Sequence, residues 1–203
     1  MTDEIKITGS NQRMDRAQAV PAVIGNHRDF LIVAGLAGTA QDMYAIEPDA
    51  DNCFLLGGAM GASVSMGLGL ALAQPDKHVL VMCGDGELLM NIGALATVMA
   101  AGVTNLSILC VDNERYGETG NQITHTAMGT DLATTAKGLG IRNVTTVTAP
   151  DEVEAASREL RRADGPTFVY LKISDAKPPK MSSRNFNAAD RRIAFRRAQL
   201  GHL

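Results

Sequence analysis

Six short runs rich in β-branched and aliphatic residues recur along the chain, at Phe30–Ala34, Cys53–Leu56, Val79–Cys83, Leu106–Val111, Val144–Val147 and Thr167–Ile173. Each is too short and too uniformly apolar to be half of an amphipathic sheet, which is the pattern of strands buried on both faces. Between them lie stretches with helical spacing, at Thr39–Ile46, Met60–Ala73, Glu87–Ala101, Asp131–Leu139 and Asp151–Arg162. Pro150 and Asp151 open the last of these, with Glu152 and Glu154 in its first turn, as helix starts prefer. Alternation of this kind predicts an α/β fold, a doubly wound and mostly parallel sheet with helices on both faces. A further helix is expected at Met14–Ile24 within an N-terminal extension over residues 1–28. A single domain is expected over residues 1–176, followed by a proline linker, Lys177–Lys180, and a basic tail over 177–203 with a helix near Ala188–Leu200.

The uncharged run Cys53–Gln74 has the length of a membrane span. Its glycines Gly57, Gly58, Gly61, Gly67 and Gly69 with Ser63 and Ser65 divide it into a turn and a small-residue helix suited to close packing inside protein, so no membrane span is expected. The net charge of −3 conceals an asymmetry, because seven of the 19 Lys and Arg follow Asp175, where Asp190 is the only acid. An acidic body and a short basic tail make a poor match to nucleic acid. The tail could dock on that body, on a partner, or stay solvated. Cys53, Cys83 and Cys110 lie far apart in apolar runs without a CxxC, which reads as buried, reduced thiols in a cytoplasmic protein. The N-terminal residues show no signal-peptide pattern.

In a parallel sheet, ligands bind outside the carboxyl ends of the strands. The informative loops are therefore Gly35–Gly38, Gly57–Gly61, Gly84–Glu87 and Asp112–Gly129, the last too long and polar for a plain connector. Gly84-Asp85-Gly86 directly follows one strand and Asn113 directly follows the next. Asp85 and Asn113 would then share one sheet edge, a carboxylate and an amide oxygen suited to Mg²⁺. Gly84 and Gly86 would let backbone approach a diphosphate, with the helix starting near Glu87 aimed at the same anion.

Gly84-Asp85-Gly86, a helix containing Asn91 and Ala94–Thr97, and then Asp112-Asn113-Glu114-Arg115-Tyr116-Gly117 resemble the cofactor motif of thiamine diphosphate enzymes. The resemblance implies Mg²⁺ held by Asp85, Asn113 and the backbone carbonyl of Arg115, and a diphosphate near Gly84, Gly86, Glu87, Tyr116 and Gly117. Gly57–Gly61 is similar to the family's second cofactor loop, which gives Gly58, Ala59 and Met60 to the aminopyrimidine, Met60 as the wedge that bends the cofactor. Gly35 and Thr39 occupy the place of a third loop near the diphosphate. Two positions depart from the pattern. Glu87 stands where the family usually has a small residue and would repel a diphosphate unless it turns away or finds a basic partner, and Asp112 replaces the first of two Asn often found in the motif.

The family's activating Glu belongs to a pyrimidine-binding domain for which this chain has no room. The resemblance, covering Leu31–Ile173, therefore implies a pyrimidine-binding (alpha) partner subunit, a hetero-oligomer containing a dimer of this chain, and a shared active site. Small split 2-oxo acid decarboxylases, of the sulfopyruvate and phosphonopyruvate type, have the same look over Gly57–Pro75 and Tyr116–Thr124. Acetolactate-type carboligases, 2-oxo acid oxidoreductase subunits and a noncatalytic module that kept the fold are the alternatives. Against a small 2-oxo acid substrate the long loop offers Glu118, Thr119, Asn121, Gln122, Thr124 and His125, with His125 as the candidate acid or base.

Overall fold

A computed structural model describes residues 4–177 and 188–201. The expected parallel sheet is present, with six strands: β3 (Leu31–Ala34), β4 (Cys53–Leu55), β5 (Val79–Gly84), β6 (Leu106–Asp112), β9 (Asn143–Val147) and β10 (Thr167–Lys172), in the spatial order β4-β3-β5-β6-β10-β9. All five pairings are parallel.

Side chains alternate between two cores. Leu80, Met82, Leu109, Val111, Val169 and Leu171 join one cluster with α1 (Arg16–Ile24), α2 (Gly38–Ile46) and α7 (Val153–Glu159). Val79, Val81, Cys83, Ile108, Cys110 and Phe168 join the other with α3 (Ser63–Ala73), α4 (Asp85–Met90), α5 (Ala94–Ala101) and α6 (Leu132–Gly138). Both faces of each central strand are thus covered, which accounts for their unbroken apolar sequence. The small-residue character of α3 has a direct cause: a Cβ on Gly67 would lie 2.1 Å from Cγ2 of Val81, so only glycine lets this helix sit so close to β5.

Three expectations need correction. The stretch Glu87–Ala101 is two helices, α4 and α5, because Asn91 leaves the helix and donates its side-chain amide to the Gly61 carbonyl at 3.0 Å. The helix expected from Met60 begins at Ser63, leaving residues 57–62 as loop. The N-terminal helix starts at Arg16, and Met14 belongs instead to a hairpin of β1 (Ile7–Thr8) and β2 (Arg13–Met14) that bridges to Ile173 beyond β10. This segment is no appendage, since Ala19, Val20, Val23 and Ile24 are fully buried in the first core cluster. Cys83 and Cys110, distant in sequence, are register partners on β5 and β6. All three cysteines are free and buried, as expected.

Part of the linker, residues 178–180, lies outside the described residues. Beyond it, α8 (Ala188–Leu200) docks on the edge strand β4. Phe195 meets Phe54 edge-on with centroids 5.8 Å apart, and Arg191 lies 3.6 Å from Asp49. Among the described residues no helix is long and apolar enough to cross a membrane.

Candidate functional site

β3 connects outward to β4 on one side, and the chain then returns to β5 on the other. Loops leaving neighbouring strands at such a reversal diverge and open a crevice at the carboxyl edge. A cavity of about 850 Å³ lies there, walled by the loops that follow β3, β5 and β6 and by Asp175–Lys177 beyond β10.

The expected residues divide cleanly. Thr39, Met60, Gly84, Asp85, Gly86, Glu87, Asn113, Arg115, Tyr116 and Gly117 line the cavity. Gly35 lies behind the wall, while Gly58 and Ala59 are exposed in their loop outside the lining. His125 is also outside it, exposed at the start of a 3₁₀ turn, His125–Met128. Its neighbours Thr124 and Thr126 turn inward instead. Of the other long-loop candidates, Glu118, Thr119 and Asn121 stand on the cavity wall.

Parallel register sets Asp85 and Asp112 side by side, because Gly84 is opposite Val111 and each carboxylate is the next residue on its chain. Both are buried, 1% and 0% exposed. Thr124 donates its hydroxyl to Asp85 Oδ2, and Thr126 lies 3.1 Å from the same oxygen and 3.0 Å from Asp112 Oδ1. Asp112 also accepts the Glu114 amide at 2.8 Å, the Tyr170 hydroxyl and Lys172 Nζ at 2.8 Å, while Lys172 reaches Glu114 at 2.7 Å. Burial, and then repulsion from Asp112, push the Asp85 carboxyl up to about 7. Burial opposes the charge on Lys172, but Asp112 and Glu114 outweigh it and hold its pKa above the ordinary value.

Asn113 follows at the strand end, its Oδ1 accepting the Arg115 amide at 3.2 Å around Glu114, which has φ +62°. Arg115 then enters a small hairpin, β7 (Arg115–Tyr116) with β8 (Gln122–Ile123), and its guanidinium pairs with Asp175 at 3.2 Å. These residues fit a divalent cation. Lys172 pairs with Asp112 and Glu114 and leaves Asp85 without a cationic partner among the described residues, and the oxygen donors are the hard type that Mg²⁺ takes. The backbone fits a diphosphate as well: among the described residues, chain neighbours apart, nothing lies within 4 Å of where a Cβ would stand on Gly84 or Gly117, so both present bare peptide to the space beside them.

Glu87 stands on the cavity wall with its carboxyl drawn to the Leu36 backbone. It is 4% exposed, and its Oε2 accepts the Leu36 amide at 3.2 Å. A Cβ on Gly35 would lie 1.9 Å from that oxygen, which makes Gly35 a packing requirement of Glu87. Burial raises the Glu87 pKa, against the pull of Ser63 and of the Leu36 and Gly84 backbone. Arg16 was not foreseen. It is buried behind Gly38, bound to Asp42 by Nε at 2.8 Å and Nη2 at 2.7 Å, and nothing in the spacing of a lone Arg and a lone Asp announces that pair.

Residues 36–171 match the family described as thiamine pyrophosphate enzyme, C-terminal TPP binding domain. The chain belongs to this family. Thiamine pyrophosphate is thiamine diphosphate under its other name. Within the family, the chain is 36% identical over 152 residues to the sulfopyruvate decarboxylase subunit beta of Methanocaldococcus jannaschii, covering 75% of this chain and 77% of that one. The corresponding subunit of Methanothermobacter thermautotrophicus is 34% identical over 160 residues, 79% and 82% of the two chains. The phosphonopyruvate decarboxylase of Streptomyces viridochromogenes is 38% identical over 146 residues, which is 72% of this chain but 36% of that longer protein. Among solved structures, a putative thiamin diphosphate-dependent enzyme of Mycobacterium smegmatis shares the fold, with a TM-score of 0.61 at 22% identity over 82% of this chain and 32% of the other. The chain resembles the sulfopyruvate decarboxylase beta subunits over most of its length, and these three relatives carry the name of decarboxylases.

Proposed function

We propose that this chain is the thiamine diphosphate- and Mg²⁺-binding subunit of a two-subunit 2-oxo acid decarboxylase, with the active site shared with a pyrimidine-binding partner. The observation that carries the reading is the pair of neighbouring strand ends, where Asp85 and Asn113 open onto a cavity floored by bare glycine backbone. Asp85, Asn113 and the Arg115 carbonyl would hold Mg²⁺, and the peptides of Gly84, Gly86 and Gly117 would face the diphosphate.

Bound thiamine diphosphate supplies an electron sink for the pair left when CO₂ departs from a 2-oxo acid. The protein's share is placement and the exclusion of water. Met60 on the cavity wall is the apolar wedge, and Leu36, Ala37 and Val111 give the wall its apolar character. Exposed Gly58 and Ala59 sit where a partner subunit would cover them. Glu118, Thr119 and Asn121 are the polar groups of this chain available to the substrate. The assembly consistent with this reading contains two copies of this chain with the partner.

Calorimetric titration with thiamine diphosphate and Mg²⁺, on this chain alone and with candidate partner chains, tests the proposal. The expected result is binding that requires Mg²⁺, disappears in Asp85→Ala and tightens with the partner, followed by CO₂ release from a 2-oxo acid. Absence of thiamine diphosphate binding in every assembly would overturn it.

A further inference from the structure

The chain spends two threonines, a tyrosine and a lysine on the two buried carboxylates at the ends of β5 and β6. The hydroxyl hydrogen bonds that Asp85 accepts from Thr124 and Thr126 both fall on Oδ2. The two hydroxyls are also 2.8 Å from each other, and Thr126 continues to Asp112 Oδ1. Asp112 in turn is fixed from the far side by Tyr170 and Lys172 of β10. Both threonines belong to residues 124–129, the segment that leaves the β7–β8 hairpin and lies against the strand ends. There it is further held by the Thr124 amide on the Glu114 carbonyl at 3.0 Å.

We propose that Thr124 and Thr126 are positioning residues that strap this segment over the site and commit Asp85 Oδ2, so that the carboxylate presents Oδ1 alone to the cation. This deepens the proposed function and rests on its Mg²⁺ reading. The physical case begins with the single hydroxyl proton each threonine owns. Two protons can fill only two of the four short oxygen contacts that the pair makes, and at the meeting point of Asp85 and Asp112 each hydroxyl has a carboxylate acceptor within reach. Of the two aspartates, Lys172 and Tyr170 bond Asp112, which leaves Thr126 as the link between the neutralised carboxylate and the one left for a cation. A carboxylate oriented from behind offers the metal one direction of approach without first surrendering rotamer freedom. The proposal also explains why the sequence Thr124-His125-Thr126 turns both threonines inward and leaves the histidine exposed.

The test uses the full chain with saturating thiamine diphosphate, titrated with Mg²⁺ and read by calorimetry, with Thr124→Val and Thr126→Val as near-isosteric losses of the hydroxyl. Each is expected to weaken Mg²⁺ about tenfold, in the range for partners of metal ligands, and Thr126→Ser to restore it. Hydrogen exchange on the chain without metal gives a second readout: the amides of residues 122–129 should lose protection in both valine variants. Mg²⁺ affinity unchanged in the valine variants, while Asp85→Asn abolishes it, would overturn the positioning role. Unchanged protection of 122–129 would overturn the strap. Mg²⁺ affinity that survives Asp85→Asn would instead refute the underlying metal assignment, an outcome recognisable because the control itself fails.

Discussion

Gly35 can be replaced by alanine without offending the backbone, since its φ is not left-handed, and the objection is steric alone. The new Cβ would fall 1.9 Å and 2.4 Å from the two Glu87 carboxylate oxygens and 2.5 Å from Cδ. Glu87 is 4% exposed and its carboxyl is bonded to the Leu36 amide, so making room for the methyl means breaking that bond and moving the carboxyl along the cavity wall. Overpacking of this kind costs about 1–3 kcal/mol, and displacement from the Leu36 amide adds about 1 kcal/mol. Gly35→Ala should therefore destabilise the chain by about 2–4 kcal/mol, lowering Tm by roughly 6–12 °C for a protein of this size. In a Glu87→Ser background the obstacle is gone, and the same change should cost under about 1 kcal/mol, a coupling of about 2 kcal/mol in a double-mutant cycle. Urea unfolding of the four proteins measures it. Equal destabilisation by Gly35→Ala in both backgrounds would refute the account of why glycine stands at this position.

Arg16→Met should cost about 3–5 kcal/mol in the same assay because Asp42 is left buried without its partner, whereas Arg16→Met with Asp42→Leu should recover much of the loss. Asp131 caps α6 through the Ala133 and Thr134 amides, so Asp131→Ala should cost about 1 kcal/mol. The Thr134 hydroxyl and amide hold the Asp131 pKa below its ordinary value, so its contribution is present above about pH 4 and lost as pH falls through the folded value; acid unfolding of the variant should be correspondingly flatter there. Phe195→Ala removes the ring that meets Phe54, and hydrogen exchange should show residues 188–200 losing protection while β5 and β6 keep theirs.

The strands and the loops that matter could be read from the sequence because a doubly buried strand is apolar at every position and a turn at its end is glycine-rich. What stayed hidden was set by contacts across long stretches of chain. The break between α4 and α5 was invisible because Leu88, Ile92, Leu95 and Val98 keep helical spacing through it, while the bond that holds Asn91 out of the helix goes to Gly61. The reach of Met14 to Ile173 and the pairing of Arg16 with Asp42 left no local trace either. Within the site, Asp85 and Asn113 were legible as motif residues, whereas the inward turn of Thr124 and Thr126 follows from Asp112 lying beside Asp85, a consequence of register. His125 drew attention by its chemistry, yet the 3₁₀ turn that it opens buries Thr126 against the two carboxylates and leaves the imidazole exposed.

The crevice exists because β4 and β5 leave β3 in opposite directions, and no side chain was needed to open it. Its location is therefore indifferent to what its walls are made of. Replacements at Leu36, Gln41, Glu118 or Thr119 can retune what fits inside without moving the opening, while Gly35, Gly84 and Asp85 are bound to the geometry of the strand ends. A chain built this way keeps its binding place and its chemical preferences on separate residues, so preference can diverge among relatives while the place is inherited unchanged.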